Sequence, residues 1–358
     1  MRNLFYYPGL VPLLSFLFAF IITYVSIPSM VRVAQTKHIF DEPNGRTSHS
    51  VNTPTLGGMA IFAGFIVSVM VFVYIPDIPY VQYVIAGIII MFFIGLKDDI
   101  VTLAPMTKFI AQIFAAAIIV DLGDIRLHGL YGFMGITDIG YYGSDFLSIF
   151  VIIAIINAFN LIDGIDGLSG GIGVLANLTF GFWFLLTDNI QLAILSFALT
   201  GSLLAFLRFN LFSVKNKIFM GDTGALVVGF IMAVLVIKFN DLNGICTGPY
   251  KIGAAPAVSI GILIVPIFDT VRVFILRILK GKSPFLPDKQ HVHHYLVQLT
   301  GSHKKSTSII LLVNVAFIVI SLLLSGLRIY QLTLILFALA AILSYIPFVM
   351  VKKKRVTQ

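Results

Sequence analysis

Asn157-Ala158-Phe159-Asn160-Leu161-Ile162-Asp163-Gly164-Ile165-Asp166-Gly167-Leu168-Ser169-Gly170-Gly171 places two carboxamides and two carboxylates between two runs, 145–159 and 170–187, that are almost pure hydrocarbon. Each run has the composition of a helix that crosses a bilayer, where the backbone must satisfy its own hydrogen bonds. Asn157 and Asn160, three apart, share a face at the end of the first helix. Asp163 and Asp166 fall in a glycine-punctuated turn that lets backbone and ligand approach closely. A turn between two helices would use Asn, Asp and Gly for conformational reasons alone. A site at the membrane face would use them for their oxygens, and the rest of the chain bears on the choice.

Working outward, similar apolar runs recur at about 9–34, 57–75, 79–96, 107–121, 190–208, 223–238, 257–279, 307–325 and 328–350. With the central pair they predict an all-α polytopic membrane protein of about eleven transmembrane helices, each needing roughly 20 apolar residues. Of the 358 residues 58% are hydrophobic and 11% charged, which excludes a soluble globular class. The first run is too long for a signal-peptide core and lacks a cleavage site, so it is read as a span. No internal repeat, low-complexity tract or linker interrupts the chain, and residues 1–358 are expected to form a single membrane-embedded domain. The lone cysteine, Cys246, excludes an intramolecular disulfide and a multi-cysteine metal site.

The net charge of +8 suits anionic lipid, phosphorylated substrates or ordinary basic inner loops. Its distribution is more informative. An odd number of spans puts the termini on opposite sides. With the N-terminus outside, every Lys and Arg except Arg2, Arg126, Lys238, Lys251 and Arg328 falls on the cytoplasmic side. The same parity brings Asp98-Asp99, the 157–166 stretch, Asp222 and His291-Val292-His293-His294 to that side, so cytoplasmic loops are expected to build one site. Outside, Ile125-Arg126-Leu127-His128 and Ile136-Thr137-Asp138-Ile139-Gly140-Tyr141 flank Gly-containing turns and predict a small extracytoplasmic hairpin near 122–145.

Each polar patch admits two readings. Asp98 and Asp99 are either helix-end charges in water or a carboxylate pair kept at the membrane face by cations. Lys108 and Gln112, four apart on the next helix, can present a cation and a carboxamide to a phosphate. Asp222, in Met220-Gly221-Asp222-Thr223-Gly224, either caps the following helix or supplies a carboxylate to Mg²⁺, which binds through one or two carboxylates plus phosphates and water. His291, His293 and His294 lack the HExxH pattern and cysteine partners of a zinc site, and suit hydrogen bonds to phosphate or sugar oxygens in a cation-rich loop. Asp269 and Arg272 are a structural salt bridge or a functional pair. Arg46 and His49 lie in a polar loop that leads to Pro54-Thr55-Leu56-Gly57-Gly58.

Arg46…His49…Pro54…Gly57-Gly58, Gly95-Leu96-Lys97-Asp98-Asp99, Asn157…Asn160…Asp163-Gly164-Ile165-Asp166-Gly167, Met220-Gly221-Asp222, and Pro266-Ile267-Phe268-Asp269-Thr270…Arg272 leading to His291-Val292-His293-His294 closely resemble, in combination and order, the polyprenyl-phosphate N-acetylhexosamine-1-phosphate transferases. The final motif resembles the His-x-His-His form of the undecaprenyl-phosphate GlcNAc-1-phosphate transferases more than the muramoyl-pentapeptide branch, which is the alternative within the family. Thr102 stands where a third acid would be expected.

The resemblance implies transfer of N-acetylhexosamine-1-phosphate, GlcNAc-1-phosphate by the histidine motif, from a UDP-sugar to undecaprenyl phosphate. UMP leaves, and lipid-linked cell-envelope glycan synthesis begins. It implies Mg²⁺, with Mn²⁺ as a substitute, because two polyanions must meet. Asp98, Asp99, Asp163 and Asp166 are then the catalytic carboxylates, and Asp98 orients the attacking phosphate or removes its residual proton. Asp222 and Asp99 are the metal ligands. Arg46, His49, Lys108, Asn157, Asn160, Asp269, Arg272, His291, His293 and His294 bind substrate. The partners implied are the UDP-N-acetylhexosamine, the polyprenyl phosphate and the bilayer of a bacterial inner membrane. Nucleic acid is not among them, and a homodimer is left open. An ion-coupled transporter is the competing class, but its inverted repeats and broken helix pairs are not evident in the sequence.

Overall fold

A computed structural model describes residues 9–37, 53–281 and 291–356. Within this range the regular structure is helical: α1 (Leu10–Lys37), α2 (Gly57–Phe72), α3 (Val81–Ile100), α4 (Pro105–Ala117), α5 (Gly140–Ile162), α6 (Leu168–Leu186), α7 (Ile190–Phe212), α8 (Gly221–Ile245), α9 (Ala255–Ile262), α10 (Ile264–Leu279), α11 (Val292–Thr300), α12 (His303–Leu323) and α13 (Ile329–Val356). Among the described residues eight helices are long and apolar enough to cross a membrane: α1, α4 with the π turn that continues it to Leu122, α5, α6, α7, α8, α12 and α13. The expected count of eleven is not reached by this measure. The other three runs fall on α2, which has 16 residues, on α3, whose last turn carries Lys97, Asp98 and Asp99, and on the broken pair α9–α10. The break is at Leu263 and has a local cause, because Pro266 in the first turn of α10 has no N–H to return to the preceding turn.

The second departure is the hairpin expected at 122–145. No strand forms there, and a single antiparallel bridge joins Phe133 to Ile136. Tyr131, Gly132, Met134 and Gly135 all have positive φ, so the chain coils through tight turns instead of extending. Arg126 ties this segment to the bundle through Asp145 at 2.8 Å, and Leu127 N donates to Ser148 Oγ at 2.8 Å.

Helix α8 is the axis of the molecule. Its residues from Thr223 to Asn240 are buried without interruption, and α2, α3, α5 and α6 pack around it. A helix that is apolar all round and buried all round belongs at the centre of a membrane bundle. Close approach at its N-terminal end depends on missing side chains, as is common where membrane helices cross. A Cβ on Gly58 of α2 would fall 2.1 Å from Gly224 N, and one on Gly95 of α3 would fall 2.4 Å from Thr223 Cα. The segment before α2 then pairs with the segment before α8. Phe219 N donates to Pro54 O at 2.8 Å, Gly57 N to Phe219 O at 3.0 Å and Gly58 N to Met220 O at 2.8 Å. At the opposite end of α8 the buried Lys238 is neutralised by Asp241 at 3.1 Å and lies 4.8 Å from the centre of the Tyr80 ring.

Candidate active site

The ends of α3 and α5 and the starts of α4, α6, α8 and α12 gather at one end of the bundle, and their polar residues meet there. Asp99 accepts from Asp222 N at 2.8 Å and Thr223 N at 3.1 Å, and from Thr223 Oγ1 at 2.5 Å. A carboxylate from α3 thus satisfies the first N–H groups of α8, where the helix dipole favours negative charge. The cap of α8 is therefore Asp99 and not Asp222, which lies one residue inside the first turn. Gly221, at φ +70°, permits the arrangement, since a Cβ there would fall 2.7 Å from the Asp99 oxygens.

Asp98, one residue earlier, is buried. It accepts from Leu103 N at 2.6 Å and from Lys108 Nζ at 2.9 Å. The Lys108 ammonium also stands 3.7 Å from Asp222 Oδ1, and Asn160 donates its amide to that same oxygen. Asp98, Lys108, Asp222 and Asn160 thus form one continuous constellation drawn from α3, α4, α8 and α5. Asn157 is engaged differently. Its amide donates to Gln112 Oε1 at 2.6 Å and to Ile153 O at 2.8 Å, tying α5 to α4.

Asp163 ends α5. Burial first, then the charges of Asp222, Asp99 and Asp166, push its carboxyl well above the ordinary carboxylate range. Asp166 is held the other way. Burial opposes its charge, but hydrogen bonds from His303 and Lys217 outweigh that and hold the carboxyl below its usual value. Lys217 Nζ is 2.7 Å and His303 Nδ1 is 3.5 Å from Asp166 Oδ2. Thr307 donates to the Asp166 carbonyl at 2.6 Å.

The histidines close the other side. His293 is buried, and its Nε2 lies against Gly164, where a Cβ would fall 2.5 Å away. Burial first, then the neighbouring His294, push its imidazole down to about 3, so the ring is neutral near neutrality. His293 and His294 have ring centres 4.3 Å apart. His291 stacks on His293 at 5.4 Å and pairs with Asp269 through Nδ1 at 2.8 Å. Arg272 donates to the other Asp269 oxygen at 2.9 Å. Arg46 and His49 lie outside the described residues.

The chain is similar to known proteins over most of its length. A family model described as glycosyl transferase family 4 matches residues 81–240. The undecaprenyl-phosphate alpha-N-acetylglucosaminyl 1-phosphate transferase of Haemophilus influenzae is 32% identical over 291 residues, 80% of this chain and 79% of that protein. The decaprenyl-phosphate N-acetylglucosaminephosphotransferase of Mycobacterium tuberculosis is 32% identical over 319 residues, 82% and 78%. The Escherichia coli K12 protein with the Haemophilus name is 28% identical over 271 residues, 75% and 71%. The chain belongs to glycosyl transferase family 4.

As a member of that family it is a multi-pass membrane transferase. Its site brings Asp98, Asp99, Lys108, Asn160, Asp163 and Asp222 together at one end of α8, with Asp166 and the histidines along one side. Sequence reading did not assign Lys217, His303 or Thr223 to the site, and Gln112, read there as a carboxamide for a phosphate, instead accepts from Asn157. Lys217 stood in a basic loop on the correct side, but nothing in its spacing pointed at Asp166. His303 and Thr307 begin α12, more than 130 positions from the turn they hold.

Among the described residues no three Asp, Glu, His or Cys converge into a ready metal cage. Mg²⁺ does not need one, because it is held by one or two carboxylates together with substrate phosphates and water. The donor set fits it. Asp98 and Asp222 flank Lys108, and burial first, then the charges of Asp222, Asp99 and Asp166, raise Asp163. The Asp222 side chain is 29% exposed, so a hydrated cation can reach it.

Proposed function

We propose that this protein transfers N-acetylhexosamine-1-phosphate, GlcNAc-1-phosphate by its histidine motif, from the UDP-sugar to a polyprenyl phosphate. The reaction takes place at the cytoplasmic face of a bacterial inner membrane. The observation that carries the reading is the direct contact among motifs far apart in sequence: Asp99 on the backbone of Asp222, Asn160 on the Asp222 carboxylate, Lys108 between Asp98 and Asp222, and His293 on Gly164. The names of the relatives supply the substrate classes, and the basic residues at the same end support a cytoplasmic site.

In this reaction an oxygen of the lipid phosphate attacks the β-phosphorus of the UDP-sugar. The bond from that phosphorus to the oxygen of the leaving UMP breaks. Positioning and charge neutralisation are the main demands of such a transfer. Lys108, fixed by Asp98, presents its ammonium to the incoming phosphate. Asp98 takes the residual proton when the acceptor arrives as a monoanion; near neutrality a phosphate monoester, with a second pKa of about 6, is mostly dianionic. Asp222, steadied by Asn160 through its side chain and by Asp99 through its backbone, would hold Mg²⁺, which when bound neutralises charge on the phosphates. The Asp163–Gly167 turn takes the nucleotide, and His291 and His294 donate to the pyrophosphate.

A panel of UDP-sugars given to the purified protein with undecaprenyl phosphate tests the reading through UMP release. Release from UDP-GlcNAc that requires both lipid phosphate and Mg²⁺ is expected. Release without lipid phosphate, or none with any UDP-sugar, refutes it.

A further inference from the structure

The Asp269 carboxylate lies on α10, just beyond the helix break, and is almost wholly buried. Its Oδ2 pairs with His291 Nδ1 at 2.8 Å, while Oδ1 accepts from Val292 N at 3.2 Å and Arg272 NH2 at 2.9 Å. The side chains of Asp269 and His291 are 6% and 5% exposed. With donors on both oxygens, this carboxylate is poorly placed to touch a substrate.

We propose that Asp269 is a positioning residue that acts through His291. An ionised carboxylate can only accept, so the proton of the 2.8 Å bond sits on Nδ1, and Nε2 is the nitrogen left for the substrate. The same carboxylate holds Val292 N at the first residue of α11, the helix that carries His293 and His294. Stacking of His291 on His293, at 5.4 Å and 13°, fixes the remaining rotation of the ring. Tautomer, ring plane and helix start are therefore set together by one buried side chain. This is the way a carboxylate behind an imidazole ordinarily tunes it. The inference rests on the reading of His291 as a donor to the pyrophosphate, and it assigns Asp269 no contact with substrate.

A double-mutant cycle read as kcat/KM for the UDP-sugar tests it. Asp269→Asn alone is expected to lower kcat/KM by ~10–100-fold, the usual loss for a group that orients an imidazole. In a His291→Ala background the same change is expected to cost less than about threefold, because the group it serves is already gone. Equal losses in both backgrounds would overturn the inference and leave a plain Asp269–Arg272 salt bridge. Parental kcat/KM in His291→Ala would instead refute the histidine reading itself.

If Asp269→Asn does not fold, two single variants test the tautomer that the proposal assigns to His291. His291→Asn places an amide N–H at the Nδ1 position, facing Asp269, while His291→Gln places one at the Nε2 position. The expected result is a folded, impaired Asn variant and a more active Gln variant. The reverse order would mean that Nδ1 is the working nitrogen, and the proposal would fall.

Discussion

Replacing Asp222 with Asn separates charge from shape at the centre of the site. Asn keeps the side-chain size and presents an oxygen where Asp222 Oδ1 now accepts from Asn160. The backbone anchor is untouched, because Asp99 bonds the N–H of residue 222 and not its side chain. Lys108 retains Asp98 at 2.9 Å, so no buried ammonium is left without a partner. The stability terms that change are small and opposed. Losing a carboxylate from the first turn of α8 costs about 0.3–1 kcal/mol of helix-dipole interaction, while removing the Asp222 charge relieves repulsion felt by Asp163. A net change within about 1 kcal/mol follows. Turnover should respond on another scale. A hard divalent cation would meet a neutral oxygen where a carboxylate stood, and losing one preorganised electrostatic stabiliser typically lowers kcat by about 10²–10³, or roughly 3–4 kcal/mol. UMP release measured against Mg²⁺ concentration, with thermal stability recorded on the same preparations, provides both numbers. Near-parental turnover with an unshifted Mg²⁺ optimum would remove Asp222 from the metal site.

Asp99→Asn should behave in the opposite sense. It leaves donors of the α8 N-terminus poorly matched and should lower stability by about 1.5–3 kcal/mol, as expected for hydrogen bonds to a charged group; a thermal unfolding scan equal to the parent would contradict the clamp. The pH dependence of stability should carry the signature of His293. Its folded value of about 3 lies below the ordinary 6.5, so above pH 6.5 the ring contributes nothing. As the pH falls from there the unfolded chain takes up a proton that the folded chain refuses, and stability drops by ~1.4 kcal/mol per pH unit. His293→Asn should flatten that slope by one proton in denaturant titrations between pH 4 and 6.5, and an unchanged slope would show the imidazole charged in the fold. Cysteines introduced near 215 and 355 should label only from the cytoplasm, and those near 77, 135 and 245 only from outside; labelling of position 215 from outside would invert the orientation argued for the site.

The helices were legible because a bilayer imposes one periodic demand that composition reveals directly. Every long apolar run became helical, and the starts of α6 and α8 and the ends of α5 and α6 fell within about three residues of expectation. The failures have physical causes. The run at 257–279 reads as one span because its apolar residues continue across Pro266, Asp269 and Arg272, and only the geometry shows the break into α9 and α10. The segment 122–145 alternates like a hairpin, but four positive φ values around Tyr131–Gly135 coil it into turns. Within the site, residue type and motif order pointed to Asp98, Lys108, Asn160 and Asp222, but not to which of them touch.

From sequence alone come the membrane class, the helix-by-helix course of the chain and the set of carboxylates and histidines with reason to meet, because burial of hydrocarbon and the scarcity of intramembrane charge are local properties of a chain. The division of labour among those residues required the tertiary structure. Asp98 and Asp99 are adjacent and chemically identical, yet one holds Lys108 and the other caps a helix more than 120 positions away. Asp163 and Asp166 share one turn, yet only Asp166 receives Lys217 and His303. What distinguishes the members of each pair is the direction in which each side chain leaves its helix end and which distant element lies there, and that is set by how the helices pack around α8.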